Sequence, residues 1–209
     1  MYTKIRLLFK RYRFSGVFEL VLYKFLKLIR IRLLRIYLLK IDASSYIVPS
    51  KKVDYIPLSF DDFLKYTDSD KEWFRETKLQ KIKNNLSNGC LAYGLIKDNT
   101  IISYGCINPN YTQKKGEHIN KSCFLFDDYT HPKYRGKGLH GLCLDYRISY
   151  LILHGYESVY IEVHAYNKAS IKGIISSGFK PYTLTYKYKI GSGPIHFKNI
   201  RLKNPYKLI

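Results

Sequence analysis

Acidic side chains are scarce in this sequence: 16 stand against 36 basic ones, a formal charge of +20 over 209 residues. That imbalance calls for an anionic partner, whether nucleic acid, anionic lipid or a phosphorylated ligand, and says nothing of fold. Cysteine is sparse as well. Cys90, Cys106, Cys123 and Cys143 are scattered and form no Cys-x-x-Cys. They read as small buried hydrophobes of a reducing compartment, and no metal site is expected. Long apolar runs are missing too. Glu19, Lys24, Lys27 and Arg30 interrupt the stretch that comes nearest to spanning a bilayer, and no small-residue cleavage site follows it. The segment therefore reads as neither a transmembrane helix nor a signal peptide, and the expected location is cytoplasmic. No internal repeat of architectural length is visible. Trp and Met occur once each, whereas there are 21 Tyr, an excess that AT-rich codons alone can supply.

What is present supports one compact domain with an appendage. Apolar residues make up 46 %, enough for a core. Residues 1–45 hold eleven basic side chains against Glu19 and Asp42, a net +9. This segment has no Pro, mixes Leu, Ile, Phe and Tyr with Lys and Arg in nearly every turn, and is expected to form one or two helices broken at Ser15-Gly16. A broad apolar stripe flanked by long basic side chains suits a helix lying on an anionic membrane surface, peripheral to the inner face. Packing on the domain or on a second copy remains the alternative. A nucleic-acid arm is the weaker fit, because such arms do not need this much Leu and Ile.

After a linker at Pro49 to Lys52, a second region runs over residues 53–205. Expected strands are Val53 to Leu58, Cys90 to Lys97, Ile101 to Ile107, Ser122 to Thr130, Ser158 to His164, Pro181 to Ile190 and Ile195 to Leu202. Expected helices are Asp61 to Tyr66, Asp70 to Leu86, Gly138 to His154 and Asn167 to Ser177. On the helix from Gly138, Leu139, Leu142, Cys143, Tyr146, Tyr150 and Leu153 give the spacing of a core face. The order of strands and helices predicts a mixed, mainly antiparallel α/β sheet with flanking helices.

The chemistry-bearing segment is Thr130-His131-Pro132-Lys133-Tyr134-Arg135-Gly136-Lys137-Gly138-Leu139-His140, between a strand and an amphipathic helix. Glycines there let successive backbone N–H groups converge on an anion, and the helix adds its unsatisfied first-turn donors. Arg135 and Lys137 add charge, so the loop reads as a diphosphate cradle. Gly136 to Gly141 also fits the dinucleotide pattern G-x-G-x-x-G, with Glu162 downstream. That reading fails because Pro132 to Arg135 separate the first Gly from the strand, and Glu162 lies within its own strand.

The segment resembles the signature of the GNAT superfamily of N-acyltransferases: a strand, a Pro, then Arg/Gln-x-x-Gly-x-Gly/Ala opening a helix. A second family segment, an Asn opening a short helix that ends in Gly-Phe, is similar to Asn167-Lys168-Ala169-Ser170 through Ser177-Gly178-Phe179. The likeness covers about Val53 to Ile190. It implies two neighbouring strands that splay apart around acyl-CoA. Backbone groups of Tyr129 and Thr130 would hold the pantetheine arm. Arg135 and the amides of Gly136, Lys137, Gly138, Leu139 and His140 would hold the pyrophosphate, and Asn167 and Ser170 would border the arm. His140 stands where the family usually has Gly or Ala, and is expected either to donate to a phosphate or to point away. Ile174 stands where many relatives carry a Tyr that protonates the departing thiolate; Tyr166 or Tyr129 is the candidate substitute.

An amine acceptor must lose a proton. Asp127 and Asp128 lie on the strand feeding the loop, where neighbours face opposite sides. Asp128 is the favoured base, in step with Thr130, and His131 and His164 are fallbacks. The resemblance thus implies acetyl or other short acyl transfer from acetyl-CoA to an amine, with a sugar amine or cell-envelope precursor as the suggested acceptor. A catalytically degenerate binding protein of the same fold, at a membrane or on nucleic acid, is the alternative raised by Ile174.

Overall fold

The computed structural model describes residues 31–48, 53–67, 70–111, 121–190 and 193–201, with positions 17, 18, 21, 22 and 25. Two compact units emerge: one is Ile41–Tyr160, the other Met1–Lys40 with Ile161–Ile209.

In the unit Ile41–Tyr160, an antiparallel ladder runs through β2 (Ile56–Pro57), β3 (Leu91–Lys97), β4 (Thr100–Asn108) and β5 (Ser122–Thr130). β3 and β4 form the expected hairpin across Asp98 and Asn99, both at positive φ of 49° and 53°. This is the two-residue turn geometry that Asn and Asp tolerate and that matches strand twist. Helix α1 (Phe60–Tyr66) starts from a capping box in which Ser59 and Asp62 satisfy each other's backbone donors. Helix α2 (Glu76–Ser87) follows a turn, and α3 (Leu139–Leu153) opens directly after the glycine-rich loop. Tyr55 donates its hydroxyl to the Leu139 carbonyl at 3.0 Å, tying the first turn of α3 to the segment before β2. Around Phe63, Phe74, Tyr104 and Tyr129 the rings pack edge to face, with Phe63–Tyr104 and Phe74–Tyr129 centroids 5.0 Å apart.

Strand β6 (Ser158–His164) carries the chain into the other unit, which holds α4 (Lys168–Ser176), β7 (Lys180–Ile190) and β8 (His196–Arg201). It also holds most of β1 (Ile31–Asp42), paired antiparallel with β7, which pairs in turn with β8. A helix was expected up to residue 45, and this is corrected: Ile31–Asp42 is a strand. Leu, Lys and Arg are good helix formers, but a ladder from Ile31↔Ile190 to Lys40↔Lys180 overrides that preference. The segment does alternate, since Tyr37 and Leu39 are buried while Leu38 and Lys40 are less so. Pro181, which cannot donate to a ladder, falls where the register shifts between Leu38 and Leu39. The break at Ser15-Gly16 and the linker from Pro49 to Lys52 lie outside the described residues.

Three smaller expectations also change. The strand expected over Val53 to Leu58 is only Ile56–Pro57. The helix expected from Asp70 begins at Glu76, because Arg75 is extended (φ −61°, ψ 159°). The core face of α3 is Cys143, Leu144, Arg147, Ile148 and Leu151, while Leu153 is 84 % exposed. Cys106, Cys123 and Cys143 are buried free thiols, and burial pushes Cys123 up to about 12 and Cys143 up to about 11. Such thiols are protonated and chemically quiet.

Candidate active site

The β4–β5 ladder breaks where the two carboxylates lie. Tyr104 pairs with Tyr129 and Cys106 with Phe126, so Asp127 and Asp128 together stand opposite Gly105. This is a β-bulge, and Asp127 accommodates it with a left-handed backbone at φ 60°. Across the bulge lies Arg147, fully buried on α3. Its guanidinium donates to the Cys106 carbonyl at 2.9 Å, to the Cys143 carbonyl at 3.1 Å, and to Asp128. A Cβ at Gly105 would overlap that guanidinium, so glycine is required for space.

The two carboxylates consequently have different surroundings. Asp128 is engaged on both oxygens, by Arg147 on one and by His140 Nε2 at 3.5 Å on the other. Burial pushes its pKa up; Arg147, then His140, pull harder the other way and hold it below the usual value of 3.8. His140 therefore turns toward Asp128 on β5. Asp127 instead meets Lys78 of α2, which lies over the face of Trp73, 5.1 Å from the ring centroid. Trp73 also packs on Tyr129 at 5.4 Å, and Tyr129 donates its hydroxyl to Asp70 at 2.7 Å. Buried in the same neighbourhood are Asp127 Oδ2, without a hydrogen-bond partner, and Trp73 Nε1 with the Tyr104 hydroxyl, which act on each other and bond nothing else.

The glycine-rich loop is shaped as a cradle. His131 is buried and accepts the Lys133 amide on Nδ1, fixing the turn Pro132–Tyr134 and leaving it a structural role. Arg135 Nε donates to the Thr130 carbonyl at 3.1 Å, and Lys137 Nζ lies 4.8 Å from the Tyr134 ring centroid. Gly136 and Gly138 have φ of 81° and 78°, and a Cβ at either would meet nothing within 4 Å. Glycine is needed here for backbone conformation rather than room. The first backbone bond of the helix is from the Leu142 amide to the Gly138 carbonyl, at 3.1 Å. Among the described residues, none accepts from the amides of Gly136 to Gly141, and residues 135–138 are exposed. A row of open donors at a helix N-terminus binds phosphate oxygens. Gly138→Ala is expected to cost about 1–2 kcal/mol of local strain, because the φ is left-handed. Affinity for a diphosphate-bearing ligand should fall about tenfold or more, measured by calorimetric titration.

Asn167, Ser170, Ile174 and His164 belong to the other unit. Asn167 caps α4, its side chain accepting the Ser170 amide at 3.4 Å, and Ile174 is buried. His164 stacks on Tyr166 with centroids 5.0 Å apart; burial, then Lys187, lower its pKa below 6.5. Tyr129 has its pKa raised by burial and by its bond to Asp70, far above that of a thiol, so it holds its proton rather than releasing it. No group of three or more His, Cys, Asp or Glu suited to a metal occurs among the described residues.

Sequence reasoning missed Lys78, Trp73, Tyr104, Gly105 and Arg147. Only Arg147 left a signal, as a lone cation between Leu144 and Ile148 on an apolar helix.

An open row of backbone amides between a bulged strand and a helix N-terminus defines an anion-binding α/β protein. The GNAT acetyltransferase family model matches residues 56–174, and the chain belongs to that family. A putative acetyltransferase of Novosphingobium aromaticivorans superposes with a TM-score of 0.54 at 16 % identity, over 78 % of this chain and 66 % of that one. An acetyltransferase from Colwellia psychrerythraea gives 0.56 at 12 % identity, over 76 % and 57 %. A tandem GNAT protein of the clavulanic acid biosynthesis pathway gives 0.55 at 16 % identity, over 78 % and 55 %. At such identities the likeness is one of fold, and this chain spans two thirds or less of those structures. No curated protein matches the sequence.

Proposed function

We propose that the protein transfers an acetyl or other short acyl group from acyl-CoA to a primary amine. The observation that carries this is the row of open amides from Gly136 to His140, presented at left-handed glycines after β5. In this reading those amides, with Arg135 and Lys137, hold the pyrophosphate. Tyr129 and Thr130 offer backbone to the pantetheine arm. The amine nitrogen attacks the thioester carbonyl, a C–N bond forms, the C–S bond breaks and CoA leaves as thiolate. A thiol of pKa about 8.5 leaves without a general acid, so Ile174 does not forbid turnover. The nitrogen's proton passes to a carboxylate. Asp127 takes that role rather than Asp128, because Asp128 is held on both oxygens while Asp127 keeps Oδ2 unpartnered. Calorimetric titration with acetyl-CoA tests the reading: absence of heat up to about 1 mM would remove it. Transfer to any member of an amine panel would remove the alternative of a fold kept only for binding.

We further propose attachment to the cytoplasmic face of an anionic membrane. Positions 18, 21, 22 and 25 share one helical face, and Phe18, Val21, Leu22 and Phe25 are 63, 58, 41 and 58 % exposed. No described helix is long and apolar enough to cross a membrane. Burying Leu or Phe is worth about 1.5–3 kcal/mol each. Leu22→Glu with Phe25→Glu in the full chain should weaken sedimentation with phosphatidylserine vesicles by more than about tenfold. Unchanged sedimentation would discard this attachment.

A further inference from the structure

Asp127 is paired with an ammonium of the chain itself. Lys78 Nζ pairs with Asp127 and lies over Trp73. The pair leaves Asp127 Oδ2 buried with no hydrogen-bond partner, while Trp73 Nε1 and the Tyr104 hydroxyl act on each other and bond nothing else. Tyr104 is completely buried, and the Asp127 side chain is 9 % exposed. Asp127 adds to the burial that raises the Tyr104 pKa, which places its charge close to that hydroxyl. A buried polar atom left without a partner keeps its full desolvation penalty. The carboxylate also sits on a left-handed, non-glycine backbone at φ 60°. Strain, an open acceptor oxygen and an aromatic face converge where a cation already rests.

We infer that this is the acceptor's ammonium site and that Lys78 is a tethered occupant which the acceptor displaces. The inference rests on the acyl-transfer reading for the word acceptor; the seat itself does not depend on it. The chemistry fits a primary alkylammonium whose nitrogen pairs with Asp127 and whose first carbons lie on Trp73. Displacing Lys78 lowers apparent affinity by the fraction of molecules in which the seat is open.

Trp73 is the single tryptophan of the chain, so its fluorescence reports the seat directly. The test titrates the full protein with n-butylammonium chloride, using n-butanol and NaCl as controls. Lys78→Met should bind n-butylammonium at least about tenfold more tightly than the unsubstituted protein, and n-butanol should give no saturable change. Adding Asp127→Asn to Lys78→Met should abolish the saturable response. Lys78→Ala, which also vacates the seat, serves if the Met variant does not fold, and should show the same gain. Equal affinity in the unsubstituted and Lys78 variants, or a response that survives Asp127→Asn, would overturn the inference. Failure of acetyl-CoA to bind would instead strike the acyl-transfer reading and leave this fluorescence result standing.

Discussion

Arg147→Ala should destabilise the protein by about 3–5 kcal/mol, enough to remove a large part of the stability of a domain this size. The cost comes less from lost attraction than from what stays behind. Asp128 would remain buried beside an empty guanidinium site, with only His140, 3.5 Å away, to compensate it. The Cys106 and Cys143 carbonyls would lose their donor as well. Arg147→Lys should recover little, because one ammonium cannot reach three acceptors set around a planar fork. Gly105→Ala should mimic the defect from the opposite strand by displacing the guanidinium. Urea denaturation followed by circular dichroism gives the measurement, and a shift under about 1 kcal/mol for Arg147→Ala would refute the bracing role. The pH dependence has a defined sign. Asp128 has its pKa depressed below 3.8, so its contribution is complete above that value and is lost as pH falls through the folded pKa. Arg147→Ala should therefore lose its disadvantage against the unsubstituted protein in strong acid.

How much of the molecule is legible in its sequence follows the range of the interactions. The loop from Pro132 to His140 was legible because its signal is local: glycines at positions that require positive φ, next to a helix start. The hairpin at Asp98 and Asn99 was legible for the same reason. Ile31–Asp42 was not, since its strand state is fixed by β7, about 150 residues away in sequence. Nor was the division of labour between Asp127 and Asp128. Strand alternation tells that adjacent residues diverge, but which neighbour each meets depends on a bulge opposite Gly105 and on side chains from two helices. The pair Lys78 and Trp73, on α2 and the turn before it, carries no pattern at all until β5 is placed beside them.

Asp127→Asn should lower kcat for acetyl transfer by about 10²–10⁴-fold while leaving acetyl-CoA affinity within about twofold. Asn is well suited to the left-handed backbone that position 127 adopts at φ 60°, so the bulge should survive the change. What disappears is the carboxylate able to take the amine's proton. Asp128→Asn, one residue on, removes the charge that faces buried Arg147, and its main effect should fall on stability rather than on kcat. Two isosteric substitutions at adjacent positions thus predict opposite signatures, one kinetic and one thermodynamic. Steady-state kinetics at saturating acetyl-CoA, with denaturation curves for both variants, separate them. If Asp128→Asn lost turnover while Asp127→Asn kept it, the carboxylate held by Arg147 and His140 would be the proton acceptor. The bulge would then position its partner instead.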